Sequence, residues 1–134
     1  MRQDKGWDLA RIGKRYEFSA AHHLTGVMPT HPCYKMHGHN YVVEVEVRGD
    51  VEPVTGFIID FHAIDREMKP IIDKLDHSLL NEFIENPTAE RIARWIMDEF
   101  RVKYLFSVTV WETPKCWAKV INKDGFYTSS EKIE

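Results

Sequence analysis

The sequence predicts an α+β fold of order ββααββ, a four-stranded antiparallel sheet with two helices on one face, and three observations carry that prediction. Two stretches in the first half of the chain and two near its end alternate apolar and polar residues with a period of two. Between them, two stretches repeat apolar residues at helical spacing. Three of the strand-like faces run out of apolar residues and finish on a metal-ligating or ionisable side chain, namely His22, the pair His37 and His39, and Glu112.

Taken in order, residues 1–13 read as polar and irregular, with Trp7, Leu9 and Ile12 as possible anchors. The first strand, about 14–22, places Tyr16, Phe18, Ala20 and His22 on one side. A loop from His23 to Met36, punctuated by Gly26, Pro29 and Pro32, delivers Cys33 to the strand end; a loop of this length is more often functional than idle. The second strand runs from His37 to about Arg48. His37, His39, Tyr41, Val43, Val45 and Val47 share its inward face, Glu44 and Glu46 point away, and Gly38 leaves room on the outer side.

Asp60 is suited to cap a helix of about 61–74, in which Ile64, Met68, Ile71, Ile72 and Leu75 form the core stripe and Pro70 predicts a kink or a break. Thr88 caps a second helix, about 89–102, with Glu90 near its positive end and Ala89, Ile92, Ala93, Ile96 and Phe100 inward. Trp95 falls off the centre of that stripe and suits a subunit contact. The third strand, about 104–113, aligns Phe106, Val108, Val110 and Glu112; a turn at Pro114 leads to the fourth, Cys116 to Ile121, and Asn122-Lys123-Asp124-Gly125 turns into a polar tail.

Composition narrows the function classes. The chain has 134 residues, 43% of them hydrophobic and 29% charged, which fits one globular domain over 1–134 with its core at about 15–121. A net charge of −3 with scattered Lys and Arg gives no basic stripe for nucleic acid. No apolar run approaches the ~18 residues of a membrane span, and the N-terminus lacks a signal-like apolar core, so the expected location is cytoplasmic. Cys33 and Cys116 alone make no disulfide framework.

If the first two strands are antiparallel neighbours, His22 meets His37 and His39 at one rim of the sheet. Three neutral imidazoles with a fourth position open suit a catalytic Zn2+; were Cys33 the fourth ligand, the site would instead be structural. Asp76-His77 and Glu112 are the other candidates for chemistry.

Phe18-Ser19-Ala20-Ala21-His22, Cys33-x-x-x-His37-Gly38-His39-x-Tyr41, Gly56-Phe57-Ile58-Ile59-Asp60-Phe61, Leu75-Asp76-His77-x-x-Leu80-Asn81, Asn86-Pro87-Thr88-x-Glu90 and Glu112-Thr113 together resemble the 6-pyruvoyltetrahydropterin synthase family over about residues 15–121. The Cys-x-x-x-His-Gly-His spacing is similar to that of its 6-carboxytetrahydropterin synthase branch, which serves queuosine biosynthesis. It departs from the 6-pyruvoyl-forming animal enzymes, whose interval is longer. The resemblance implies conversion of 7,8-dihydroneopterin 3'-triphosphate to 6-carboxy-5,6,7,8-tetrahydropterin, acetaldehyde and triphosphate. It also implies the tunnelling fold (T-fold), in which three sheets close into a barrel and two trimers stack as a hexamer. Carried onto this chain, it assigns Zn2+ to His22, His37 and His39, proton abstraction to Cys33, a proton relay to Asp76 and His77, and pterin binding to Glu112 with Thr113. A thiol near a dication ionises more readily, which suits that role for Cys33. The alternatives are a 6-pyruvoyl-forming or other dihydroneopterin-processing lyase, and a non-catalytic, zinc-stabilised binding module.

Overall fold

The computed structural model describes residues 9–102 and 104–123; Trp7 and the Asp124-Gly125 turn lie outside them. Strands β1 (Leu9–His22) and β2 (His37–Asp50) pair antiparallel along their full length, from Leu9↔Asp50 to His22↔His37. Strand β1 therefore begins earlier than the alternation from Lys14 onward predicts. The 14-residue β2 offers a backbone partner to Leu9–Gly13 as well, and pairing overrides their weak pattern.

Helix α1 (Phe61–Leu75) follows, then a two-residue strand β3 (Ser78–Leu79), helix α2 (Ala89–Glu99), and strands β4 (Leu105–Thr113) and β5 (Cys116–Ile121). The sheet order is β3-β1-β2-β4-β5. The four predicted strands form its antiparallel body, and β3 adds a fifth, parallel to β1 at Ala20 and Ala21. Two residues too short to show a period are invisible to pattern reading.

Alternation sorts the faces as the sequence predicts. Tyr41, Val43, Val45 and Val47 are fully buried, with Phe18 and Ala20 beside them, and α1 packs over β1 while α2 packs over β4 and β5. Burying each such valine stabilises by about 1.5–3 kcal/mol before conformational entropy is subtracted. On the outer face Glu46 meets Lys119 at 3.1 Å, Arg11 at 4.0 Å and the Ser107 hydroxyl, and Glu44 meets Arg15 at 3.8 Å.

Both predicted N-caps form: the Asp60 carboxylate accepts from the His62 amide, and the Thr88 hydroxyl accepts from the Arg91 amide. Pro70 does not break α1, which is one continuous helix. Its ring faces solvent between the buried Met68 and Ile71, so core packing on the other face outweighs the lost hydrogen bond. Helix α2 stops at Glu99, short of the predicted 102; Phe100 takes the extended conformation, donates its amide to the Ile96 carbonyl and stays buried. Trp95 is half-buried, with its ring 5.2 Å from that of Phe83.

Candidate metal and catalytic site

At the end of the β1–β2 ladder the inward face changes from valines to imidazoles. His22 lies opposite His37 and Ala20 opposite His39, so the three rings gather at one rim, 4.5–5.1 Å apart between centres. One ligand nitrogen from each lies within 4.8 Å of the others.

Hydrogen bonds decide which nitrogens face inward. His22 Nδ1 lies 2.8 Å from the Pro87 carbonyl oxygen, and His37 Nδ1 lies 2.8 Å from the Lys35 carbonyl oxygen. A carbonyl only accepts, so each Nδ1 must carry the proton and each neutral ring presents its Nε2 lone pair. Those two Nε2 atoms stand 3.0 Å apart. Two lone pairs at that distance repel unless a cation or a proton lies between them. His39 Nε2 is buried and has no partner among the described residues.

Burial holds the His22 and His39 rings below the ordinary histidine pKa; the hydrogen bond to the Pro87 carbonyl opposes this at His22, and the Glu112 carboxylate opposes it at both. Three neutral, inward-turned imidazoles, two of them fixed by carbonyls, are a donor set that fits a borderline metal ion. The resident metal would sit on His22, His37 and His39.

Glu112 comes to the same rim by a local irregularity. The β4–β5 register shifts between Trp111 and Thr113, and Glu112 lies beyond the last β2–β4 pair, Val42↔Trp111. A bulge of this kind re-aims a side chain. Its carboxylate is near enough to act on the titration of His22, His39 and Tyr41. Thr113 faces elsewhere: its hydroxyl accepts from the Lys115 amide, and it lines an outer-face hollow with Arg15, Trp111 and Pro114.

Asp76 and His77 are bound to the other side of the same strand end. The Asp76 carboxylate accepts from the Ser19 amide at 2.9 Å and lies 2.9 Å from His77 Nδ1; these two contacts, in that order, hold its pKa below the usual range. His77 has φ +60°, and its amide donates to the Ser19 carbonyl. Strand β3 begins at the next residue, so this short parallel pairing is what docks the dyad. The His77 imidazole is 83% exposed and lines an open depression of about 440 Å³ with Ala21, Gly38, His39 and Asn40. The space that Gly38 leaves on the outer side is part of that depression.

Cys33 sits in a short 3-10 turn, Pro32–Tyr34, capped by His31, whose Nδ1 accepts from the Cys33 amide. Its thiol is free and partly exposed and does not belong to the histidine cluster. The structure thus joins His22, His37 and His39, places the Glu112 carboxylate near enough to bear on their charge without being part of the cluster, sets Asp76 and His77 on the adjoining surface, and leaves Cys33 on the neighbouring loop. Pattern reading missed the Pro87 and Lys35 carbonyls that orient the rings; the one available signal was Asn86-Pro87, a turn dipeptide beside the capping Thr88.

A rim of three imidazoles with a carboxylate beside it, on an antiparallel sheet backed by two helices, defines an α+β protein with a histidine-built cation site. Comparison with known proteins makes the class specific: the family model for 6-pyruvoyl tetrahydropterin synthase matches residues 11–123, and the chain belongs to that family of enzymes. An Archaeoglobus fulgidus protein with a provisional 6-carboxy-5,6,7,8-tetrahydropterin synthase name is 41% identical over 111 residues, covering 81% of this chain and 93% of that one. A Synechocystis 6-carboxy-5,6,7,8-tetrahydropterin synthase is 37% identical over 76% of this chain and 85% of its own length. A Pyrococcus furiosus dihydroneopterin monophosphate aldolase is 35% identical over 69% and 75%. The solved Caenorhabditis elegans 6-pyruvoyl tetrahydropterin synthase superposes with a TM-score of 0.78 at 27% identity, covering 86% of this chain and 96% of that one. The fold is the T-fold, and the chain is a pterin-processing lyase of this family. No helix among the described residues is long and apolar enough to cross a membrane.

Proposed function

We propose that the protein is a zinc-dependent 6-carboxy-5,6,7,8-tetrahydropterin synthase, acting on 7,8-dihydroneopterin 3'-triphosphate and water and releasing acetaldehyde and triphosphate, in the cytoplasmic route to queuosine. The observation that carries this reading is the convergence of His22, His37 and His39, with two Nε2 lone pairs facing each other beside Glu112. Similarity to relatives named for this activity supports the choice of reaction.

Zinc on the three imidazoles would supply Lewis acidity toward the hydroxyls of the substrate side chain. The chain's own residues do the rest. Glu112 accepts paired hydrogen bonds from the pterin 2-amino group and ring N–H, fixing the ring, with Thr113 beside it in sequence. Cys33 removes a proton from the side-chain carbon, and His77, oriented by the Asp76 carboxylate, delivers or relays one from the other side.

Neither His77 nor Cys33 belongs to the histidine cluster within one chain, which supports an active site completed by a neighbouring subunit. Among the described residues, strand β5 ends the sheet on one side, and on the other β3 pairs only with Ala20 and Ala21 of β1 while Asp76 and His77 bind Ser19, so Leu9–Phe18 has no strand partner on that edge. Joining such edges between three copies closes a barrel, and two trimers make a hexamer. A fully active monomer, seen by light scattering at assay concentration, would overturn this assembly.

Similarity to the monophosphate aldolase favours a second reading, aldol cleavage of a dihydroneopterin phosphate. Mass spectrometry of one incubation with dihydroneopterin triphosphate separates the outcomes. Acetaldehyde with free triphosphate supports the proposal, triphosphate without a released aldehyde marks 6-pyruvoyl formation, and a two-carbon aldehyde still bearing phosphate marks an aldolase. Metal retention with none of these products would leave a binding module.

A further inference from the structure

We propose that Asn86 is a positioning residue that fixes the Cys33 loop against the histidine rim; its effect on turnover rests on the reading of Cys33 as the proton-abstracting group. The Asn86 Oδ1 accepts from the Thr25 amide at 2.8 Å and the Gly26 amide at 3.0 Å, more than sixty residues before or about sixty before it in the chain respectively. The fit is close: a Cβ on Gly26 would lie 2.9 Å from Asn86 Nδ2. The next residue, Pro87, offers the carbonyl that orients the His22 ring. One dipeptide thus holds the loop with its side chain and a metal ligand with its backbone.

The hold reaches Cys33 through the loop's own cross-tie. Leu24, beside Thr25, donates its amide to the Cys33 carbonyl at 2.8 Å. Asn81 secures the residue before that, accepting from the His23 amide at 2.9 Å and donating to the His23 carbonyl at 2.8 Å. His23–Gly26 is therefore pinned at both ends, and Cys33 is tied into the pinned segment.

The backbone of Asn86 supplies a controlled experiment. Its φ of +44° lies in the left-handed region, which Asn, Asp and Gly all tolerate better than other residues. Asn86→Asp keeps both the conformation and the acceptor; Asn86→Gly keeps the conformation and removes the acceptor.

In the zinc-loaded, full-length protein, Asn86→Gly is expected to lower kcat by about 10- to 100-fold, the scale of a displacement near 1 Å. KM and zinc content should stay within about twofold, and Asn86→Asp should recover most of the loss, within about threefold of the parent; these ranges are order-of-magnitude expectations from the same displacement argument. Equal kinetics in the parent and Asn86→Gly would overturn the proposal, as would an equal loss in both variants. A second readout does not depend on turnover. In a Cys116→Ser background, iodoacetamide should alkylate Cys33 at a rate that changes in Asn86→Gly and is restored in Asn86→Asp. If Cys33→Ala is itself active, the catalytic reading of Cys33 fails, while the alkylation rates still decide whether Asn86 holds the loop.

Discussion

The middle and the end of the β1–β2 ladder share one face, one register and one alternation, yet they spend burial differently. In the middle, Val43, Val45 and Val47 are fully buried and carry no polar atom beyond the paired backbone. At the end, His22 is just as buried, at 1% exposure, but brings two ring nitrogens with it, and the His39 ring leaves one without a partner. The middle returns stability for burial; the rim gives up part of that return to hold an ion. The same period of two positions both, and only the side-chain chemistry differs.

The largest effect expected from breaking this contrast is at the rim. His37→Ala should drop the metal content from about one per chain to near zero and reduce turnover at least a thousandfold, the scale of losing several kcal/mol of transition-state stabilisation. Its metal-free melting temperature should hardly change. Val45→Ala should do the reverse, keeping metal and most activity while losing about 2 kcal/mol of stability. Metal analysis and denaturant unfolding on both variants check this; equal stability losses in the two would erase the distinction.

Next in size is Cys33→Ala, which should keep the metal and the fold and lose about 100- to 10,000-fold in kcat, the usual contribution of a general base. Steady-state kinetics on the metal-loaded variant measures it. Near-normal turnover would remove the thiol from the chemistry.

A good part of this contrast was legible beforehand, for local reasons. Period two placed His22, His37 and His39 on the buried face with Tyr41 and the valines, and the caps Asp60 and Thr88 follow from bonds between residues two or three apart. What escaped depends on distant placement. The Pro87 carbonyl is 65 residues from His22, so nothing near either position announces their bond. Strand β3 exists because the Asp76-His77 turn returns the chain to Ser19, and Asn86 matters because the loop folds back onto it. The early start of β1 is likewise a property of its partner strand.

The metal-free protein should reveal the cost of the rim in its pH dependence. Burial depresses the His22 and His39 pKa values in the folded state, whereas in the unfolded chain both return to about 6.5. Between the depressed values and about 6.5 the unfolded state binds more protons, so stability rises with pH there. The contribution is fully present above about 6.5 and is lost as pH falls toward the depressed values. Urea unfolding of metal-free protein from about pH 7.5 to 5 should therefore show falling stability, and His39→Ala should flatten the slope; an unchanged slope would mean that His39 titrates alike in both states.

The smallest expected effect lies where middle and rim meet. Tyr41 stacks on Phe18 with ring centres 4.9 Å apart and belongs by burial to the middle, but its hydroxyl is buried with no partner among the described residues, and the rings of His22 and His39 stand edge-on to it at 5.9 and 5.3 Å. A buried hydroxyl left unpaired costs about 1–3 kcal/mol, and Tyr41→Phe removes it while keeping the ring contacts. Stability of the metal-free variant should therefore rise, by about 1 kcal/mol after relaxation around the lost oxygen. If turnover falls at the same time while metal content is unchanged, the hydroxyl serves the rim rather than the core. A loss of stability instead would show that the hydroxyl is paired in solution and contributes to the fold.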